Sequence, residues 1–291
     1  MSGSGSKTNP NITVRQISLD FTNVPKHWIG SNPFLTHLMH VMSFVFPEGE
    51  RMFVRSVKWY SSEVRDPLLR EQVGAFIGQE MHHGKTHEDM NQWLETLSPA
   101  AAKLKVFLSD SIKRSSTKRQ KSSPMMLLAE TVALEHLTSA LAASVLARPQ
   151  LIQKMHPQLR PIVVWHSIEE IEHKTVAFDV YKAVGGGYFR RILALAFAGT
   201  VLPLLFTFGM LALLYEDRAS LTWRSFREFL VAILGPDGLI AGMLPTYFAG
   251  FSPSFHPSQT EDLHLMKRWL VKLNEMTPVA TSERAKASVV A

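Results

Sequence analysis

Residues 165–174 read Trp-His-Ser-Ile-Glu-Glu-Ile-Glu-His-Lys, and residues 80–87 read Glu-Met-His-His-Gly-Lys-Thr-His. Each holds a Glu-x-x-His, and the register of the flanking apolar residues decides what it means. Around the first, a stripe runs Leu69, Val73, Phe76/Ile77, Glu80, His83, His87, Met90, Leu94, Leu97. Side chains three and four apart share a helix face, so Glu80, His83 and His87 stand where that face expects apolar residues. Around the second, the stripe is Ile162, His166, Glu170, His173, Ala177, Val180. Burying such groups unpaired costs on the order of several kcal/mol each. A shared metal removes that cost.

Carboxylate-bridged dinuclear bundles take one Glu from each of two helices and a Glu-x-x-His from each of two others. Two further helical stretches offer the missing carboxylates. Over 47–62, Glu50 shares a face with Phe53, Val54 and Val57, whereas Glu48 lines up with Arg51 and Arg55 on a wetter face; Glu50 is preferred. Over 124–146 the helix is apolar all round, so periodicity cannot choose between Glu130 and Glu135. Small residues beside Glu135 (Ser139, Ala142) leave room for a substrate and favour it. The competing account is a polar core of Glu–His hydrogen bonds. It suffices for any one His, but not for four successive helices with inward Glu and His.

Around these stretches the chain punctuates itself with Pro starts and Gly stops. Helices are expected over 31–46, restarting at Pro47 to 62, over 67–97, 124–146, and from about Pro161 to Gly185-Gly186-Gly187. Residues 1–20 are grouped as a disordered N-terminus, the first 11 small and polar, while 12–21 carry the one strand-like pattern. The fold class is all-α: a helical bundle over 21–188, an apolar segment over 189–255, and a C-terminal helix with a disordered tail over 256–291. His37, His40, His82, Glu88, Glu169, Glu172 and Asp179 read as ordinary helix or flanking residues, with support of a ligand as the minority case.

The 24 residues from Ile192 to Tyr215 hold no charge. A membrane span needs about 20, so membrane embedding is expected. Residues 229–251 form a second apolar stretch, broken at Gly235-Pro236-Asp237-Gly238. Arg190-Arg191 before the first stretch place the bundle on the cytoplasmic side of the inner membrane. The chain carries 31 Lys+Arg against 25 Asp+Glu, a net +6, and the excess over 103–121 equals that figure. This stretch reads as a solvated loop with an anionic membrane surface as its sharper alternative. It lacks interleaved aromatic residues, so nucleic acid is not expected. The absence of cysteine excludes thiolate zinc sites, Cys-ligated clusters and disulfides.

At these motifs the sequence resembles the bacterial family described as predicted metal-dependent hydrolases, over roughly residues 20–275. The His166-x-x-x-Glu170-x-x-His173 element is also similar to non-haem di-iron arylamine N-oxygenases, which are ferritin-like. That resemblance implies the ligands Glu50, Glu80, His83, Glu135, His166, Glu170 and His173, with His87 an eighth ligand or a supporting group. It also implies two iron ions, and the donor types would accept manganese or zinc. The leading expectation is O2-dependent oxidation of a small, lipophilic organic substrate. Glu50 and His83 would serve one iron, Glu135, His166 and His173 the other, and Glu80 and Glu170 would bridge. No dinucleotide fingerprint is present, so a separate electron donor is required. The alternative is a hydrolase using a metal-activated hydroxide. The non-enzymatic alternative is a membrane-anchored scaffold.

Overall fold

The first three long helices each begin where a capping residue meets a proline. Asn32 accepts from Leu35 N ahead of Pro33, Asp66 from Leu68 N ahead of Pro67, and Ser98 from Ala101 N ahead of Pro99. Capping oxygens satisfy the amides that a helix start leaves unpaired, and proline has none to lose there. The computed structural model describes residues 12–277 and 279–281. In chain order the helices are α1 (Pro33–Tyr60), α2 (Pro67–Leu97), α3 (Pro99–Ser122), α4 (Pro124–Leu146), α5 (Pro149–Lys154), α6 (Arg160–His173), α7 (Val176–Ala183), α8 (Tyr188–Glu216), α9 (Trp223–Leu234), α10 (Leu239–Ala249) and α11 (Leu263–Met276). Two short strands, β1 (Arg15–Gln16) and β2 (Ala280–Thr281), pair antiparallel. The all-α bundle is the expected fold.

Four differences from the sequence reading matter. Pro47 does not separate two helices; it lies inside α1. An interior proline removes one i→i−4 hydrogen bond, here the one to the Ser43 carbonyl. Asn91 on α2 supplies the substitute, its Nδ2 donating to Ser43 O at 2.9 Å. Residues 103–121 are not a loop but most of α3, which packs on α1 through buried Ala101 and Leu108. Lys105 pairs with Glu95 and Arg119 with Glu130, so part of its charge is answered within the bundle. The 161–183 helix bends after His173, at Lys174-Thr175, dividing α6 from α7. Residues 12–20 belong with the bundle: Val14 and Arg15 are buried. The disorder expected for 1–11 and 282–291 falls outside the described residues.

The core has two apolar layers. One contains Phe44, Leu94, Val145, Trp165 and Ile168; the other contains Phe53, Phe76, Leu128, Val176 and Tyr181. Along α1, α2, α4 and α6–α7 the chain passes between these layers once, and the passage falls at Glu50, at Glu80–His87, at Glu135 and at Glu170–His173. α2 and α4 traverse the layers in the same direction, so α3 is the return crossover, about 36 Å long at 1.5 Å per residue. α11 also joins the bundle: Trp269 is buried and its Nε1 donates to Leu146 O at 2.7 Å. By length and composition α4, α8 and the 223–249 segment would each reach across a membrane, yet α4 is mostly buried in the bundle.

Asn91→Ala should destabilise the fold by about 1–3 kcal/mol, the cost of an unpartnered buried carbonyl. In a Pro47→Ala background the loss should shrink, because alanine at that position regains a backbone N–H that can take up Ser43 O. Denaturant unfolding of the four-variant cycle measures this coupling.

Candidate metal centre

The polar belt between the two layers gathers all seven expected residues. Ligand-type atoms of Glu50, His83 and His166 form one group, and those of Glu80, Glu170 and His173 a second, each within 4.8 Å. Glu135 joins the second group, its Oε2 3.2 Å from His173 Nε2. Glu170 faces both groups: Oε1 is 2.9 Å from His166 Nε2, and Oε2 is 3.6 Å from His173 Nε2. Glu80 Oε1 likewise lies 3.2 Å from His173 Nε2 and 3.9 Å from His83 Nδ1. All seven are buried, His166 the least so at 8 % exposed. His166 stacks on His83 with centroids 4.1 Å apart. It therefore sits with Glu50 and His83, not with Glu135 and His173 as the sequence reading had it, because α6 brings it level with the α1 end of the belt.

Alternatives left open by periodicity separate in space. Glu130 is half-buried and pairs with Arg119 at 3.1 Å, away from the belt. Glu48 is buried but pairs with Arg51. Gly84 on α2 permits the close approach of α1: a Cβ there would meet Glu50 Oε2 at 3.2 Å.

Whether metal fits can be judged from what the belt lacks. Both oxygens of Glu50, Glu80 and Glu135, both nitrogens of His83, and His173 Nε2 are buried without a hydrogen-bond partner. The 3.2 Å approaches to His173 Nε2 are ion-pair contacts without hydrogen-bond geometry. Native interiors leave few such groups, so their concentration here marks a place built for cations. Charge agrees: four carboxylates balance two divalent ions when the histidines are neutral. Burial pushes Glu50 and Glu80 well above the usual carboxylate range, and drives His83 and His87 well below the usual imidazole value. At His173 burial opposes charge, but Glu135 and Glu80 hold a proton on the ring.

The atoms behind the belt fix which nitrogen of two imidazoles faces it. Because Asn91 Nδ2 is committed to Ser43 O, its Oδ1 accepts from Ser43 Oγ at 2.7 Å. Ser43 Oγ then has no proton left and accepts from His87 Nδ1–H at 3.0 Å. His87 Nε2 is thereby the acceptor for His166 Nδ1–H at 2.9 Å, which turns His166 Nε2 to the carboxylates, where it is hydrogen-bonded to Glu170 Oε1 at 2.9 Å. His87 thus stands behind the belt, with one ring nitrogen engaged by Ser43 and the other by His166. Gln79 works similarly. Its Nε2 donates to Thr13 O and to Glu172 Oε2, both at 2.9 Å, so its Oε1 accepts from His173 Nδ1–H at 2.9 Å. Fixing the far ring nitrogen in this way is what metal-binding histidines need.

Arg15 ties this outer layer together. Its guanidinium donates to both Glu172 oxygens at 2.7 Å and to Glu169 Oε1 at 3.3 Å. Glu169 Oε2 in turn lies 3.1 Å from His83 Nε2. The sequence reading missed Arg15, Gln79, Ser43 and Asn91. One signal was available: Glu169, Glu170 and Glu172 surround one helix, and a helix buried on several faces needs an imported cation. The remaining flanking residues are elsewhere engaged. Asp179 bonds His256, and His82 meets Gln16. His27 and His37 converge on Asp217, whose other oxygen is 2.9 Å from Lys26 Nζ. That lysine supplies the counter-charge a metal would otherwise provide.

A family model described as predicted metal-dependent hydrolase matches residues 13–261. The chain belongs to this family. The matched span takes in every belt residue, their partners Arg15 and Gln79, and the whole of α8, α9 and α10. The family's description is hydrolytic, so it supports the alternative chemistry weighed from the sequence over O2-dependent oxidation. No curated protein and no solved structure matches the chain.

Two outcomes test the centre. Glu135→Ala and Glu80→Ala should each lower bound metal, and Glu130→Ala should not; Arg15→Ala should weaken metal binding by about 10–100-fold, read by elemental analysis and competition with a chelating dye. Loading must also expel protons from His173, Glu50 and Glu80, so apparent affinity should rise with pH. Calorimetry in buffers of different ionisation enthalpy reads the released protons; zero release would contradict the assignment.

Proposed function

We propose that the chain is a metal-dependent hydrolase acting through a two-ion carboxylate–histidine centre. The observation that supports this most is the juxtaposed pair of donor groups with unpartnered oxygens and nitrogens, in a chain of a family described as hydrolytic. Nitrogen and oxygen donors without thiolate suit zinc, manganese or iron. When bound, two such ions supply Lewis acidity to an attacked carbonyl or phosphoryl group and to the attacking water.

The chain's own residues do the positioning. His166 and His173 turn Nε2 toward the belt, fixed from behind by His87 and Gln79. Thr138 Oγ1 donates to Glu170 Oε2, holding the carboxylate that touches both groups. Phe46 lies against His87 and His166, with ring centroids 4.8 and 5.0 Å apart, and shields that side of the belt from water.

A second reading is kept because of the donor pattern itself. Two Glu-x-x-His helices plus two single Glu is the arrangement of di-iron carboxylate bundles, which suits O2-dependent oxidation with an external reductant. One comparison separates them. Apo-protein is loaded with zinc, manganese or iron and assayed on nitrophenyl carboxylate and phosphate esters. The reduced iron form is then mixed with O2. Hydrolysis that tracks metal content and vanishes in Glu80→Ala is expected. Stoichiometric O2 consumption with no ester turnover under any metal would overturn the hydrolase in favour of the oxidase.

A further inference from the structure

The longest uncharged stretch of the chain forms a helix that never leaves the bundle. α8 packs on α1 and α4 along its length. Ala194 and Ala198 near its start, and Met210 and Leu213 near its end, are all buried. Gly209 lies so close to α1 that a Cβ would meet Val41 at 2.7 Å. Asp217, just past the helix, bonds His37 near the start of α1. The other face of α8 is an apolar stripe: Phe189, Leu193, Phe197, Leu204, Phe208 and Tyr215 are exposed, Phe189 by 80 % and Tyr215 by 76 %. The spacing of four, four, seven, four and seven keeps them on one side. α9 packs on α1 and α10 on α4, extending the same layer, and Trp223, Leu234 and Phe248 are exposed there.

A helix that crossed a bilayer with the bundle pressed along its whole length would carry the charged outer faces of α2 and α3 into hydrocarbon. Lys85 and Asp89 on α2, and Lys113 and Arg114 on α3, stand on those faces. Irregular or charged lipid-exposed surface is not tolerated at that depth. The geometry that buries the apolar stripe and spares the charges is a helix lying flat. We propose that α8, with α9 and α10, lies in the plane of one leaflet of an anionic bilayer, so that the protein is seated on the membrane without crossing it. Two features select that occupant. Exposed Arg190 stands at one end of α8, and Arg218, Arg224 and Arg227 stand at the other, placed for anionic headgroups. Tyr215 with Arg218 over its ring, and Trp223, lie at that Arg-rich end, where amphipathic rings settle at the water–lipid boundary. The proposal stands independently of the reaction catalysed.

The full chain, purified in detergent, is reconstituted with phosphatidylcholine vesicles with and without phosphatidylglycerol. Binding should be stronger on the anionic vesicles, and Phe197→Glu with Phe208→Glu should reduce it at least about tenfold. Both positions are exposed, so helicity and metal content should be unchanged and serve as the folding check. The chain has no cysteine, so Gly187→Cys and Ala219→Cys mark the two ends of α8 without background. A maleimide that cannot cross membranes should label both from outside. Labelling of one end only would replace the flat helix with a spanning one. Absence of vesicle binding overturns the proposal; if the two Glu substitutions then dissociate a soluble dimer, the face belongs to a second copy.

Discussion

Four carboxylates brought together in a dry interior repel one another, and nothing in an apolar core answers them. That constraint governs this fold. Each of the four belt positions interrupts a helix that is otherwise apolar on that face, and the two layers of Phe, Leu, Ile and Trp above and below hold the interruption level. Without cations the belt reduces its charge by holding protons, which is why burial pushes Glu50 and Glu80 up while His173 stays charged between Glu80 and Glu135. With divalent ions the same atoms are satisfied by charge rather than by protons.

Precision at the belt comes from residues that never touch it. A proline inside α1 leaves one carbonyl unpaired, and that one carbonyl fixes the orientation of Asn91. Asn91 fixes the Ser43 hydroxyl, the hydroxyl fixes His87, and His87 fixes which nitrogen of His166 faces the carboxylates. A helix-breaking residue becomes the origin of a tautomer. On the other side, Gln79 and Arg15 do the same for His173 and approach His83 through Glu169. The N-terminal segment therefore contributes structure to the centre, although it belongs to none of the four helices.

The belt was legible in sequence wherever a helix had a polar side for contrast. α2 shows an apolar stripe interrupted by Glu80, His83 and His87, and the interruption is visible because the other faces are charged. α4 lacks that contrast, so periodicity could not choose between Glu130 and Glu135; the small residues beside Glu135 favoured it, and Arg119 on α3 pairs with Glu130. The pairing of His166 with Glu50 and His83 depends on how far α6 is shifted along α1. That shift is set by packing across the bundle, and no local spacing encodes it. Outer partners were hidden for the same reason: Arg15 lies 154 residues from Glu169 in sequence.

α3 shows how charge can mislead where topology would not. Seven basic residues over 103–121 look like a solvated loop, but about 19 structureless residues inside a compact domain is itself an argument against that reading. The belt supplies the better argument. Glu80 precedes His83 as Glu170 precedes His173, yet α2 and α6–α7 traverse the layers in opposite directions, while α2 and α4 run the same way. Chain leaving α2 at the Leu94 layer must travel back to the Leu128 layer before α4 can begin. A 24-residue helix covers that distance in one straight run with its backbone groups paired. Most of its lysines and arginines are exposed because a crossover rides on the outside of the bundle, and its few buried residues suffice to hold it there.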